Sequence, residues 1–277
     1  MGKFKLLRNL VVDEQLIQAG QIQRPLSIAR RDLERIHSRH YHRCFSRDQL
    51  SASEQRRIGL PATRPLVQRT WLSVGGTLLT ARLALRHGIA SHLAGGTHHA
   101  HPDFGSGFCI FNDIATAAQV LLDNGEAQRV LVVDLDVHQG DGTAKIFEGD
   151  ERVFTVSLHG KNNFPFRKQT SDWDVEFEND TGDEEYLTVL DEVLSKLSNQ
   201  AFDLVFFQAG VDALDSDALG LLKLSREGLG KRNQRVFAWR EQMELPMVIF
   251  MGGGYAKPID DTVDAFTDLF MEAASRI

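Results

Sequence analysis

The sequence predicts an α/β fold: a mostly parallel sheet with helices on both faces, arranged as one three-layer domain over residues 1–277. Three observations predict it. Helix-like and strand-like patterns alternate without a break from residue 66 onward. The strand candidates are short apolar runs such as Val130-Leu131-Val132-Val133, the composition of parallel strands covered on both faces. Four strand candidates then finish in turns dense in glycine and polar residues, at Gly95–His101, Asp134–Asp141, Ala209–Asp212 and Gly252–Tyr255. In an open parallel sheet these carboxyl ends lie along one edge, where a ligand crevice forms.

Taken in order, Lys3–Ala19 reads as an amphipathic helix, because Phe4, Leu7, Val11 and Leu16 recur at roughly helical spacing and Gly20 can stop it. Ser27–Phe45 is helical in pattern and rich in Arg and His. Ser46–Pro65, with Gly59 and two prolines, reads as a connection. Leu66–His87 is a long helix whose Gly75-Gly76 pair permits close packing or a bend. Ile89–Leu93 is a short strand, and Phe111–Leu122 a helix ended by Asn124-Gly125. The Val130 strand follows, then a helix with Asp141 as its N-cap. Val153–Leu158 is a strand ending in His159-Gly160. In Ser171–Phe177, Asp172, Asp174 and Glu176 alternate with Trp173, Val175 and Phe177, which is the period of a half-buried strand. Thr181–Asn199 is a helix with Leu187, Leu190, Leu194 and Leu197 on one stripe. Leu204–Ala209 and Met247–Met251 complete the strands, and Ser225–Gln242 and Ala256–Ser275 the helices. No repeat, low-complexity stretch or interdomain linker interrupts the series.

Composition narrows the function. With 42% apolar and 25% charged residues the chain is an ordinary globular protein with material for a sizeable core. The net charge of −7 argues against direct nucleic-acid binding, and the basic stretch Arg24–Arg43 reads as the cover of an amphipathic helix. Cys44 and Cys109 are far apart, offer no disulfide framework and predict a reducing, cytoplasmic setting. Charges interrupt every apolar run well before a membrane span of about 18 residues. Arg8, Asn9, Asp13 and Glu14 likewise break any signal-peptide core.

Extended-chain alternation sends Asp134, Asp136 and His138 to one side, with Leu135 and Val137 on the other. Two carboxylates and an imidazole are costly to bury unless a cation neutralises them, and a divalent metal would do so. Alone, this stretch reads equally well as a solvated strand end. The other three strand ends favour the metal. Asp136, His138 and Asp212 form a set of one imidazole and two carboxylates that leaves a coordination position open, the mark of a catalytic zinc site. The set is harder than three imidazoles, which makes Fe(II) an alternative to zinc. Read from its neighbours only, Asp212 would be a helix cap. His98 and His99, adjacent in a glycine-rich turn, suit proton transfer, and Asp134 and Asp141 are the carboxylates available to orient them. Tyr255 follows three glycines that let backbone approach a ligand, and its hydroxyl can donate to an oxyanion. The competing reading for Tyr255 is a turn aromatic covering the sheet.

From about Ile28 to the C-terminus the chain resembles the histone deacetylase superfamily, with its arginase–deacetylase fold. The resemblance rests on Gly95-Gly96-Thr97-His98-His99-Ala100, on Gly105-Ser106-Gly107-Phe108-Cys109-Ile110-Phe111-Asn112-Asp113, and on Asp134-Leu135-Asp136-Val137-His138-Gln139-Gly140-Asp141-Gly142. It also rests on Ala209-Gly210-Val211-Asp212 and Gly252-Gly253-Gly254-Tyr255. Asp217-Ala218-Leu219-Gly220 and the short loops are most similar to class IV and bacterial relatives. The resemblance implies a metal-dependent deacetylase with Asp136, His138 and Asp212 as zinc ligands. His99 would be general base and then acid, and His98 would assist electrostatically. Asp134 would pair with His98 and Asp141 with His99, while Tyr255 would stabilise the tetrahedral oxyanion. Phe108 and Phe164 would wall an acyl-lysine tunnel, with Gly107 and Gly253 also contacting substrate. A structural potassium ion would fall on Asp134, Asp136, His138, Ser157 and Leu158.

Two departures stand out. The strand and the Tyr- and His-containing segment that usually precede the first helix are not seen, so the domain is expected to lack the N-terminal edge strand. Position 139 is Gln where many relatives carry His, and it is expected to point away from the metal. The His-His motif, in place of an Asp-rich cluster, disfavours the metal pair of the ureohydrolases. The expected substrate is an acylated lysine in a peptide or protein. The alternatives are a small acylated amine such as an acetylpolyamine, or a catalytically weak acyl-lysine-binding module. The eight acids within Asp172–Glu185 could draw a cationic substrate, but read first as solvated faces of a strand and a helix start.

Overall fold

The structure is a computed structural model and describes residues 2–13 and 19–276. Its strands are β1 (Ile89–His92), β2 (Val130–Asp134), β3 (Val153–Gly160), β4 (Trp173–Phe177), β5 (Leu204–Gln208) and β6 (Met247–Phe250). They form one sheet in the order β1-β6-β5-β2-β3-β4, and every pairing is parallel. The chain leaves β2 toward β3 and β4, then returns to β2's other side with β5 and β6. The switch point therefore lies between β2 and β5, where Asp134 sits level with Gln208, and with Ser157 of β3 on the other side.

The helices are α1 (Gly2–Asp13), α2 (Arg30–Leu33), α3 (Arg39–Ser46), α4 (Ala52–Ile58), α5 (Arg64–His87), α6 (Asp113–Asp123), α7 (Asp141–Phe147), α8 (Asp183–Leu197), α9 (Arg226–Gln242) and α10 (Ile259–Ala274). Strand alternation divides the core into two layers. Leu131, Val133, Val205, Phe207 and Ile249 pack with apolar residues of α1, α8, α9 and α10. Val130, Val132, Phe206, Val248 and Phe250 pack on the opposite face with α3, α5 and α6. Both faces being covered is the physical reason the central strands β2, β5 and β6 are apolar almost throughout, whereas the edge strand β4 alternates.

Several boundaries differ from the sequence expectation. The helix expected over Lys3–Ala19 is seen as α1 over Gly2–Asp13, and residues 14–18 lie outside the described ones. Ser27–Phe45 is two short helices rather than one. Between them the His37 ring is tied to distant backbone: its Nδ1 donates to Pro102 O at 3.3 Å and its Nε2 accepts from Asn112 N at 2.8 Å. Ser38 then caps α3. The connection expected over Ser46–Pro65 contains α4, started by a reciprocal Ser51–Glu54 capping box and stopped by Gly59 at φ +74°. Asn112, not Phe111, opens α6 as its cap. Asp141 is not the N-cap of α7; Gly140 holds that position and the Asp141 carboxylate turns to the histidines. The Gly75-Gly76 pair serves close packing. A Cβ at Gly75 would run into Leu26 O and lie 2.8 Å from Ile28 N, so segment 26–28 crosses α5 at backbone contact.

His37 also makes stability depend on pH. Its buried Nε2 must accept a hydrogen bond, and burial lowers its pKa from 6.5 to about 4. Below 6.5 the unfolded chain takes up a proton that the folded chain refuses, so this contribution is complete above 6.5 and is lost as pH falls toward 4. At pH 7 a His37→Gln variant should be less stable than wild type, and the gap should shrink by roughly 2 kcal/mol at pH 4.5 in denaturant titrations. A gap that stays constant with pH would contradict this.

Candidate active site

Four turns meet at the carboxyl edge of the sheet and line one cavity of about 700 Å³. The turn after β2 is folded by its own carboxylates. Asp134 Oδ1 accepts from Asp136 N at 3.1 Å, and Asp136 Oδ1 accepts from His138 N at 3.0 Å. Neighbouring turns complete it: Val137 N donates to Asp212 Oδ1 at 2.9 Å and Gly253 N to Asp136 Oδ2 at 2.7 Å. Side chains at Gly210 and Gly253 would collide with the two carboxylates, which explains glycine at both positions.

These bonds bring Asp136, His138 and Asp212 together, each with a ligand atom within 4.8 Å of the others; they are the one such group among the described residues. His138 Nδ1 lies 3.0 Å from both Asp136 Oδ1 and Asp212 Oδ2. Burial opposes charge on all three. The two carboxylates nevertheless hold His138 up at about 10, while burial and Asp136 raise Asp212 to about 7. Two buried carboxylates that compete for a positive partner suit a divalent cation, and Asp136, His138 and Asp212 are the residues that can hold it.

The His-His turn leaves β1 through Gly95 and Gly96, at φ +78° and +81°. Asp113 accepts from Gly96 N at 3.1 Å and Thr97 N at 2.8 Å, and Gln208 Nε2 donates to Gly96 O at 2.8 Å. His98 Nδ1 donates to Asp134 Oδ2 at 2.6 Å and His99 Nδ1 to Asp141 Oδ1 at 2.7 Å. The two histidines are driven apart electrostatically. Burial opposes charge on His98, yet Asp134 and Asp136 hold it up at about 9. Burial and the charge of His98 push His99 down to about 4, against Asp141. The surroundings thus favour the charged form of His98 and the neutral form of His99.

Phe164 meets the His99 ring edge-on at 4.9 Å, and Gly107 packs so tightly on His99 that no side chain fits there. Phe108, at φ +64°, sits 5.9 Å from the Tyr255 ring, and Gly253 also lines the cavity. Burial pushes the Tyr255 phenol well above its ordinary value, so the hydroxyl keeps its proton. Ser157 stands beside Asp134 in register with Leu158 next to it, and its Oγ bonds His159 Nδ1 at 2.9 Å. Gln139 points away from the cluster, bonding Gln169 O at 2.7 Å and Asp174 Oδ1 at 2.8 Å.

Three neighbours were missed in the sequence. Lys3 donates to Gly252 O at 3.1 Å and Gly254 O at 3.2 Å and lies 4.6 Å over the Tyr255 ring. Its signal was available: a lysine four and eight residues before the buried Leu7 and Val11 stands on the apolar stripe of α1. Arg232 is fully buried and donates to Leu135 O at 3.2 Å, Gly210 O at 2.6 Å and Ala209 O at 3.3 Å. It braces the β2 and β5 turns from below, and nothing in the polar sequence of α9 marks it. His101 reaches Asp141 Oδ2 at 3.0 Å.

An Asp212→Ala variant should keep the fold and lose bound divalent metal. Elemental analysis after dialysis against limiting zinc reads this directly, and retained stoichiometric zinc would remove Asp212 from the ligand set.

A histone deacetylase domain model matches residues 1–270. A protein of Picosynechococcus sp. is 47% identical over 264 residues, covering 95% of this chain and 88% of that protein. Histone deacetylase 2 of Arabidopsis thaliana is 34% identical over 267 residues, covering 92% of this chain and 69% of its own. The crystal structure of the HDA15 HD domain superposes with a TM-score of 0.81, covering 97% of this chain and 80% of that one. At 22% identity that likeness concerns the fold.

Proposed function

The chain belongs to the histone deacetylase family, and from that premise we propose that it is a metal-dependent amidohydrolase releasing acetyl or other acyl groups from lysine side chains. The observation that carries the reading is the pair of buried imidazoles, each tied through Nδ1 to its own carboxylate beside the Asp136, His138 and Asp212 cluster. A binding site has no use for such a proton-transfer set.

Those three residues would hold zinc, or Fe(II) as the alternative, and the bound ion would supply Lewis-acid polarisation of the acyl carbonyl and an acidified water. Every other part of the chemistry belongs to the chain. Asp141 fixes the His99 tautomer with Nδ1 protonated, which leaves Nε2 free to take a proton from the attacking water. The protonated His99 then returns that proton to the departing lysine amine. His98, held cationic by Asp134, stabilises the negative charge that builds beside it. Tyr255 keeps its phenolic proton and can donate it in a hydrogen bond to the oxyanion. Phe108 and Phe164 suit the apolar stem of lysine. A structural potassium ion on Asp134, Asp136, His138, Ser157 and Leu158 is part of the same proposal.

The cavity lining favours acyl-lysine over an acetylpolyamine. Among the described residues it carries Lys3, Arg56, Arg57 and Arg69, and its only carboxylates are Asp136 and Asp212. A polyamine would bring further ammonium groups with no free acid to receive them. None of the eight acids in the stretch Asp172–Glu185 lines the cavity, and four are engaged elsewhere: Asp172 bonds Thr155, Asp174 bonds Gln139 and Ser171, Asp183 bonds Ser225, and Glu178 pairs with Lys161. These four acids join structural elements rather than line the cavity.

Zinc-loaded protein should release acetate from acetyl-lysine peptides and act more slowly on acetylpolyamines. Folded, zinc-loaded protein with no turnover on any acyl-lysine would overturn the proposal. Tyr255→Phe should lower turnover on the order of a hundredfold with zinc content unchanged. An unchanged rate would deny Tyr255 the oxyanion role.

A further inference from the structure

Asp141 is held by two histidines, and the mechanism above uses one. The first turn of α7 lies against residues 98–101 because Thr143 N donates to His98 O at 3.0 Å and Gly142 leaves no room for a side chain beside Ala100 and His98. Asp141 therefore faces the turn with both carboxylate oxygens. Oδ1 accepts from His99 Nδ1 at 2.7 Å and Oδ2 from His101 Nε2 at 3.0 Å. A carboxylate this buried needs partners on both oxygens, and a single hydrogen bond would leave it free to swing.

His101 is itself fixed. Its backbone N donates to Phe104 O at 2.9 Å, and its ring stacks on Phe104 at 4.4 Å with 19° between planes. The Arg57 guanidinium covers the Phe104 ring at 4.4 Å. Pro102 O accepts from Ser38 N at 3.0 Å, which ties the turn to the start of α3. The Arg57 carbonyl accepts from Gly107 N at 3.2 Å, in the wall of the cavity. Contacts thus run unbroken from Arg57 through Phe104, His101 and Asp141 to His99.

We propose that His101 is a positioning residue: by holding Oδ2 of Asp141 it fixes that carboxylate, and through it the ring orientation and tautomer of His99. The inference rests on His99 being the base of the deacylation. His101 touches no reacting atom, so its loss should disturb turnover and not substrate or metal binding.

Two variants of the full chain test this. His101→Phe keeps the stack on Phe104 and removes the donor. His101→Gln places an amide N–H where Nε2 stood. On an acetyl-lysine peptide, zinc-loaded His101→Phe should lose about tenfold in kcat with KM and zinc content unchanged, and His101→Gln should recover most of that loss. Independently of turnover, proton NMR of protein with isotope-labelled histidine should show the low-field Nδ1 proton of His99, identified by its absence in His99→Gln. That signal should weaken in His101→Phe and return in His101→Gln. Wild-type kcat and an unaltered signal in His101→Phe would overturn the proposal. So would equal losses of kcat in both variants alongside equal losses of melting temperature, because that pattern is packing alone. Wild-type protein without turnover would defeat the deacylase reading, while the NMR signal would still decide whether His101 places His99.

Discussion

The constraint on which the rest of the structure depends is the burial of Asp136 and Asp212 side by side at the switch point of the sheet. Two adjacent carboxylates out of water are strongly unfavourable, and much of the surrounding structure answers that problem. Backbone N–H groups of Val137 and Gly253 are aimed at them, glycines make room for them, and His138 bridges them. Arg232 sits beneath, bound to the carbonyls of the turns that carry them. The strand order places β2 beside β5, so residues 75 positions apart meet although the chain between them builds β3, β4 and α8.

The same constraint separates the two histidines. His98 lies close enough to Asp136 to share its field and is held charged. His99, one residue further and equally buried, has the single carboxylate Asp141 as partner and meets the charge of His98 as repulsion. Neighbouring residues of one type acquire opposite character from position alone, which is how a single turn can furnish both an electrostatic partner and a base. The family match supports a deacetylase, and the structural likeness supports the shared fold.

Much of the fold was legible because β-branched runs and leucine stripes are statements about burial. The strands and long helices follow their apolar periodicity to within a few residues, as β2, α5 and α8 show. Legibility failed where non-local hydrogen bonds decide the local conformation. His37 splits a helical pattern by reaching Pro102 and Asn112, and Asp141 leaves a capping role for the histidines. The side chains expected at the site were legible because they cluster in polar turns at strand ends. The structure brings His98, His99, Asp136, His138, Asp212 and Tyr255 to one cavity, with Asp134 and Asp141 bonded to His98 and His99 rather than lining it. Arg232 was not legible, because it acts on backbone carbonyls far away in sequence, a role that leaves no motif, whereas Lys3 was marked only by its place on the apolar stripe of α1. The α4 capping box was readable at Ser51 and Glu54 and went unread among the prolines around it.

The most direct measurement is the anomalous diffraction of crystals grown with zinc, recorded on both sides of the zinc absorption edge. One strong peak bounded by Asp136 Oδ, His138 Nδ1 and Asp212 Oδ is the predicted result, with the His99 ring adjacent and not coordinating. A pair of peaks, a peak on His98 or His99, or none at full zinc occupancy elsewhere in the crystal would contradict the account.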